Sequence, residues 1–403
     1  MVGNFHPNLE KRPLRLLKFD AVYPQEYLLE KQRTHQAAIK EMDYGEYYRW
    51  FMDQRFYLSD YITAPMERFG WEAREFISHD DILIHKLWEN GQIRDFGIRS
   101  KIGYIARAIK DYPDRVVFEK IWKNKKYYFY EKYINTFQPD VIFIREPCGV
   151  DGLFFERYAR DKLIVSMIGC NTAHAKNWKT HRNDLIITIT DEYKQFFELQ
   201  GVPVFHFEYG INDKVTHQAG GQSKKYDCVF VGLLGTPEQS RKTELMNMVA
   251  EKRGLKWWGP RASRTDSFPA LAKSYQGEVA GLDMLKIYKS ARIVLNDYVD
   301  TARGFNVNMR TKEVLSVGSF LLTRHAPNIE GLRSSGAIET FQDNQDCLFK
   351  IDHFLQNENK REKIAKAGYV YAQENFNYDQ IVPKLMSEIS RCYHEKFKSS
   401  GRS

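Results

Sequence analysis

Within the stretch NVNMRTKEVLSVGSFLLT, residues 306–323, two asparagines, an arginine, a lysine and a glutamate stand directly ahead of a small-residue turn and an apolar strand. Asn308 is a good N-cap type, Glu313 falls one or two turns into the helix that should follow, and Gly318 is placed to end it. The free N–H groups and partial positive charge of a helix N-terminus suit phosphate. Arg310 adds a bidentate donor for phosphate oxygens, and the Glu313 carboxylate can accept hydrogen bonds from two adjacent hydroxyls, as on a ribose. One short element would then hold both the sugar and the diphosphate of a nucleotide. An ordinary capped helix with a helpful first-turn acid would show the same residue types.

Such a cluster needs strands to carry it, and the chain supplies them. Short β-branched runs alternate with longer helical patterns, as in parallel α/β units. In the first half the strand candidates are LRLLKF (14–19), DVIFIRE (140–146), DKLIVSMIG (161–169), DLIITIT (184–190) and VPVFHF (202–207). A long aromatic-rich segment, residues 26–137, is expected to be a helical insertion between the first two. The Gly-, Ser- and Gln-containing run 212–227 reads as a flexible connector. Alternation then restarts with YDCVFVG (226–232), a helix from Pro237 to Arg253, LKWWG (255–259), a helix around LDMLKIYKSA, RIVLND (292–297) and SFLLT, before helices at 344–357, 359–375 and 378–396. The predicted organisation is an N-terminal domain over 1–211, a linker at 212–225, a second domain over 226–375 and a terminal helix over 376–403 that crosses back to the first domain. Two parallel-sheet domains of this kind place a cleft at the carboxyl ends of their strands.

The 403 residues, 43% apolar and 14% aromatic, can bury more than one core. Cys148, Cys170, Cys228, Cys347 and Cys392 form an odd, scattered set without CxxC or Cys/His spacing, which argues against a disulfide framework and a zinc site and fits a reducing cytoplasm. The first residues lack an apolar signal-like core, and no run of about 18 apolar residues occurs. A net charge of +8 suits anionic partners, although Lys and Arg are spread along the whole chain.

From GEVAGLDMLKIYKSARIVLNDYV through KREKIAKAGYVYAQENFNY the sequence resembles the nucleotide-binding domain of CgeB-like glycosyltransferases, a group with the GT-B fold and a C-terminal domain like those of glycosyltransferase families 1 and 4. The resemblance covers residues 226–390 and rests on Tyr288, Leu295 and Asn296, on Asn308, Arg310, Glu313 and Gly318, and on Ile364 through Tyr378. It implies GT-B architecture: two Rossmann-like parallel-sheet domains facing a cleft, with a helical insertion in the N-terminal one. It further implies that Glu313 takes the ribose hydroxyls and that the amides from Asn308 through Met309 to Arg310 face the diphosphate. The side chain of Arg241 would join them, Gly232 and Gly235 would make the turn after the first strand, and Trp258 and Gly259 would lie near the base. The first half is similar more loosely, through LLKFDAVYPQEYL, DVIFIREPCGVDGLFF and FEYGINDKV. Many retaining GT-B enzymes carry an acid eight positions before the ribose-binding glutamate; here that position is Phe305, so the resemblance leaves inversion or retention open.

Glycosyl transfer from a nucleoside diphosphate needs stabilisation of the leaving diphosphate and, with inversion, a base for the acceptor hydroxyl. The sequence has no DxD motif, so neither a metal nor another cofactor is expected. Glu146, Asp151 and His174 stand beside strand ends of the first domain and are the candidate bases. The expected partners are a nucleotide-sugar donor and a glycan, glycolipid or protein acceptor, in bacterial cell-surface glycan assembly by family association. The basic, aromatic run KIWKNKKYYFYEKY (120–133) offers a surface for anionic lipid headgroups at the inner face of the membrane. Two other classes share parts of this pattern. A DNA-base glycosyltransferase would fit the charge, but beyond the run 120–133 no basic cluster interleaved with aromatics marks duplex binding; a non-catalytic nucleotide or sugar binder would retain Asn308, Arg310 and Glu313.

Overall fold

The computed structural model describes residues 12–20, 25–56, 59–78, 80–89, 118–145, 152–168, 183–189, 191–298 and 309–398. They form two lobes, each built on one parallel sheet. The first sheet contains β1 (Arg15–Asp20), β2 (Glu72–Ile77), β3 (Val141–Arg145), β4 (Leu163–Ile168), β5 (Leu185–Thr188) and β6 (Val204–His206) in the order β2-β1-β3-β4-β5-β6. The second contains β7 (Tyr226–Val231), β8 (Lys256–Trp258), β9 (Ala291–Asn296), β10 (Leu321–Arg324) and β11 (Glu339–Phe341) in the order β11-β10-β9-β7-β8. β3, β4 and β5 are buried along their whole length, which is why they read as continuous apolar runs rather than alternating ones. In both sheets the second strand flanks the first on one side and the third on the other. The strand order therefore reverses between β1 and β3, and again between β7 and β9, which makes each pair a topological switch point.

β2 lies inside the segment expected to be wholly helical. Its sequence EAREFI hides a strand because its buried charge is paired: Glu75 stands opposite Lys18 in the β1–β2 register, and the Lys18 amine donates to both Glu75 oxygens at 2.9 Å. Asp20 and Arg145, at the carboxyl ends of β1 and β3, form a further buried ion pair beside it. The rest of the insertion is helical where it is described, at Gln25–Thr34, Gln36–Glu41, Tyr44–Asp53, Thr63–Arg68, Asp81–Glu89 and Phe118–Phe137. The last of these contains the run 120–133, whose basic side chains up to Lys126 lie outside the described residues.

The first part of the connector is helical, and residues 220–225 that follow are irregular. Asn212 caps the helix Asp213–Ala219 through Lys214 N at 2.9 Å, and Thr216 Oγ1 donates to the Ser316 carbonyl in the second lobe. Two crossings join the lobes and pair with each other: Ile211 N donates to the Phe376 carbonyl at 2.7 Å, and Tyr378 N to the Ile211 carbonyl at 3.0 Å. The helix Tyr378–Lys398 then runs onto the first lobe, where the Lys396 amine donates to the carbonyls of Ala159 and Lys162 and to Asp184. The insertion also reaches the second lobe. Leu282 N donates to the Gln54 carbonyl at 2.7 Å, and Tyr27 OH to Asp283 at 2.8 Å. No helix among the described residues is long and apolar enough to cross a membrane.

Candidate functional site

At the second lobe's switch point, the chain leaves β7 at Gly232 and β9 at Asn296 and Asp297. Gly232 and the glycine that follows β8, Gly259, bring their backbones together. A Cβ on Gly259 would lie 2.5 Å from the Gly232 carbonyl oxygen, and both residues hold positive φ, 151° and 137°. The turn is pinned by Gly232 N donating to the Trp258 carbonyl at 2.8 Å and by Trp257 Nε1 donating to the Gly232 carbonyl at 2.9 Å.

Above this turn lies the guanidinium of Arg310, the first residue of the helix Arg310–Ser316. Its Nη1 donates to the Asn296 Oδ1 atom at 2.6 Å, its plane sits 4.7 Å over the Phe230 ring, and its Nη2 occupies the space that a Gly232 side chain would fill. Asn296 is fully buried and is itself oriented by donating to Thr323 Oγ1 at 3.1 Å. The Arg310 Nε atom is buried with no acceptor among the described residues. The partners that aim this cation are thus the Asn296 amide, the Phe230 ring and the Tyr288 side chain.

A second group surrounds Asp297, which is fully buried. Arg324 Nε donates to one of its oxygens at 2.9 Å and Arg241 Nη2 to the other at 3.2 Å, with the Arg241 guanidinium 4.9 Å over the Tyr298 ring. Burial raises the Asp297 carboxyl above its ordinary range, against the pull of Arg324 and Arg241. Lys242, also buried, lies 5.6 Å over the Phe230 ring. Among the described residues around these strand ends the cations Arg241, Lys242, Arg310 and Arg324 therefore outnumber the acids Asp297 and Glu313. The field is suited to an anion.

Glu313, one turn beyond Arg310, faces the lobe boundary. It lines a cavity of about 30 Å³ together with Arg55 and Tyr61 of the first lobe and Ile211 and Asn212 of the crossing. That volume admits about two waters and no sugar. Burial pushes the Glu313 carboxyl up to about 7, outweighing the attraction of Arg310.

The sequence-derived assignments divide on this geometry. Gly232, Arg241 and Arg310 gather at or beside the β7–β9 switch point, whereas Met309 lines the lobe-boundary cavity with Glu313. Met309 occupies the N-cap position expected of Asn308, and it makes no side-chain capping bond. Trp258 is only 7% exposed and packs edge-on against Tyr226 at 5.3 Å, so its ring belongs to the core and offers no platform for a base. Gly235 serves a structural turn: its N–H donates to Thr243 Oγ1 at 3.0 Å, and a Cβ there would lie 2.6 Å from Thr265. Glu146, Asp151, His174 and Asn308 lie outside the described residues. Asn296, Asp297, Phe230 and Arg324 were not singled out as site residues. Asn296 stood within the resemblance, and the position of Asn296 and Asp297 at the end of an apolar strand is a further signal.

A family model described as glycosyl transferase-like matches residues 241–387. No curated protein matches the chain. Among solved structures, the chain is similar to a glycosyltransferase from Rickettsia africae, with 9% identity, a TM-score of 0.53 and coverage of 96% of this chain and 100% of that one. It is similar to HepE of Anabaena in complex with UDP and glucose, with 10% identity, a TM-score of 0.53 and coverage of 94% and 100%. A third likeness is to the N-terminal domain of Candida albicans trehalose-6-phosphate phosphatase, with 12% identity, a TM-score of 0.53 and coverage of 96% and 98%. At such identities the likeness is one of fold, and the fold is GT-B.

Proposed function

We propose that this protein is a glycosyltransferase that takes a sugar from a nucleoside-diphosphate donor held by its second lobe. The observation that carries the reading is Arg310: a guanidinium set at the β7–β9 switch point and aimed by Asn296 and Phe230. Arg241 stands beside the same strand ends. The glycosyl transferase-like match over 241–387 spans Arg241, Arg310 and Glu313, and the Anabaena structure of like fold holds UDP and glucose.

As the glycosidic bond breaks, negative charge grows on the departing diphosphate. Fixed cations aimed at those oxygens stabilise the transition state more than the ground state. Arg310 and Arg241 fill that role, and Gly232, by lacking a side chain, leaves room for the Arg310 guanidinium. Glu313 in its ionised form accepts the two ribose hydroxyls, which requires the small cavity at the lobe boundary to open toward the cleft. The acceptor lies against the first lobe, with Glu146, Asp151 or His174 as its base. The subfamily that fits best is CgeB-like, the acceptor class a glycan, glycolipid or protein of the bacterial cell surface, and the site of action the cytoplasm or the inner face of the membrane. The reaction as written uses no metal.

Incubation of the full chain with UDP-, GDP-, ADP- and TDP-sugars, followed by release of the nucleoside diphosphate, tests this. One donor should be hydrolysed slowly without acceptor and faster with a bacterial glycan extract. Absence of release and of binding across the panel would overturn the reading.

A further inference from the structure

Lys312 lies between Arg310 and Glu313 in sequence, yet it points away from the strand ends. Its amine donates to Glu208 Oε2 at 2.6 Å and to the Tyr209 carbonyl at 2.7 Å, and it sits 4.5 Å over the Phe376 ring. Glu208 and Tyr209 lead into the first interlobe crossing, and Phe376 belongs to the second. One ammonium group in the second lobe therefore touches both segments that join the lobes, at the place where Ile211 and Tyr378 exchange their backbone bonds with Phe376 and Ile211.

The carrier of this contact needs such an anchor. The helix Arg310–Ser316 has seven residues and no side-chain cap at its start, and a helix of that length has no stability of its own. Its seat comes from tertiary contacts. Lys312 supplies the polar contacts to the crossing, through a side chain that is 15% exposed, whereas that of Glu208 is 57% exposed. The exposed carboxylate contributes little by itself; the carbonyl and the ring are the firm parts of the seat.

We infer that Lys312 is a positioning residue that fastens the Arg310–Ser316 helix to the paired crossings, and so fixes the register between the lobe hinge and the cations at the strand ends. The hinge part stands on geometry alone, whereas its consequence for donor binding rests on the proposed function. Substituting Lys312→Met keeps the stem and removes the donors and the charge.

Hydrogen exchange of the full chain, without nucleotide, reads the hinge at the amides of Ile211 and Tyr378. In Lys312→Met these should exchange about ten-fold faster, the size of one lost charge-assisted hydrogen bond. Lys312→Arg should restore protection to within about three-fold of wild type, because a guanidinium can still reach a carbonyl and a ring. Glu208→Gln should change it less than Lys312→Met does, since the carbonyl and ring remain. Calorimetry with UDP on the same proteins should show about ten-fold weaker binding in Lys312→Met, restored in Lys312→Arg. Unchanged exchange at both amides in Lys312→Met would overturn the inference. Faster exchange in a protein whose wild type binds no nucleoside diphosphate would support the hinge role and count against the donor reading.

Discussion

Glu313 holds its proton where most glutamates have lost theirs. Burial against the lobe boundary raises its carboxyl from 4.5 to about 7, so between those values the folded chain carries a proton that the unfolded chain has released. Stability from this group consequently falls as pH rises from about 4.5 to 7, and the whole penalty is present above 7. Burial also raises the Glu75 carboxyl, against the pull of Lys18, but that group is common to both proteins in a comparison and cancels. Glu313→Gln should therefore be more stable than wild type at pH 8, by about 1 to 3 kcal/mol, and equal to it near pH 4.5. Melting curves across that range check the sign. If the ionised form also binds the ribose diol, wild-type affinity for nucleotide rises through pH 7 while that of Glu313→Gln stays flat. A residue can thus cost stability at the pH where it serves binding.

The close approach of the backbones that follow β7 and β8 shows how local geometry sets the bed for Arg310. Gly259 and Gly232 approach so closely that a methyl group at 259 meets the Gly232 backbone at 2.5 to 2.9 Å. Gly259→Ala should lower stability by about 1 to 3 kcal/mol. Gly220→Ala, also at positive φ but with only the end of one side chain within 4 Å, should cost less. Denaturant midpoints with unchanged slopes would separate the two. Elements were readable in proportion to how apolar they are. β3, β4, β5, β7 and β9 announce themselves as buried runs, but β2 does not, because Lys18 and Glu75 neutralise each other inside the sheet. Trp258 misled for a related reason: a strand-end tryptophan reads alike in a core and at a site, and only packing against Tyr226 decides. The helix that carries Arg310 and Glu313 was legible from residue type and spacing. Asp297 and Arg324 were not, since their pairing joins positions 27 residues apart in sequence.

At the scale of the whole molecule, two lobes with the same strand logic are joined by paired crossings and braced by the insertion through Gln54 and Tyr27. The alternation of strands and helices disclosed the lobes and their order. The connector helix and the brace were hidden, because both depend on contacts between distant segments rather than on local pattern. Arg241, Arg310 and Arg324 stand at the strand ends of the second lobe, and the central claim is that a nucleoside diphosphate binds beside them. Titration calorimetry of wild type and Arg310→Ala with UDP, GDP, ADP and TDP, beside melting curves, tests this most directly. A wild type that binds one of them, and an Arg310→Ala variant that binds it about ten- to a hundred-fold more weakly, is the predicted result, in line with loss of charge-assisted hydrogen bonds worth about 1.5 to 3 kcal/mol. Equal affinity in the two proteins, with only a lower melting temperature from the orphaned Asn296 acceptor, would contradict it and leave Arg310 a structural residue of the sheet's edge.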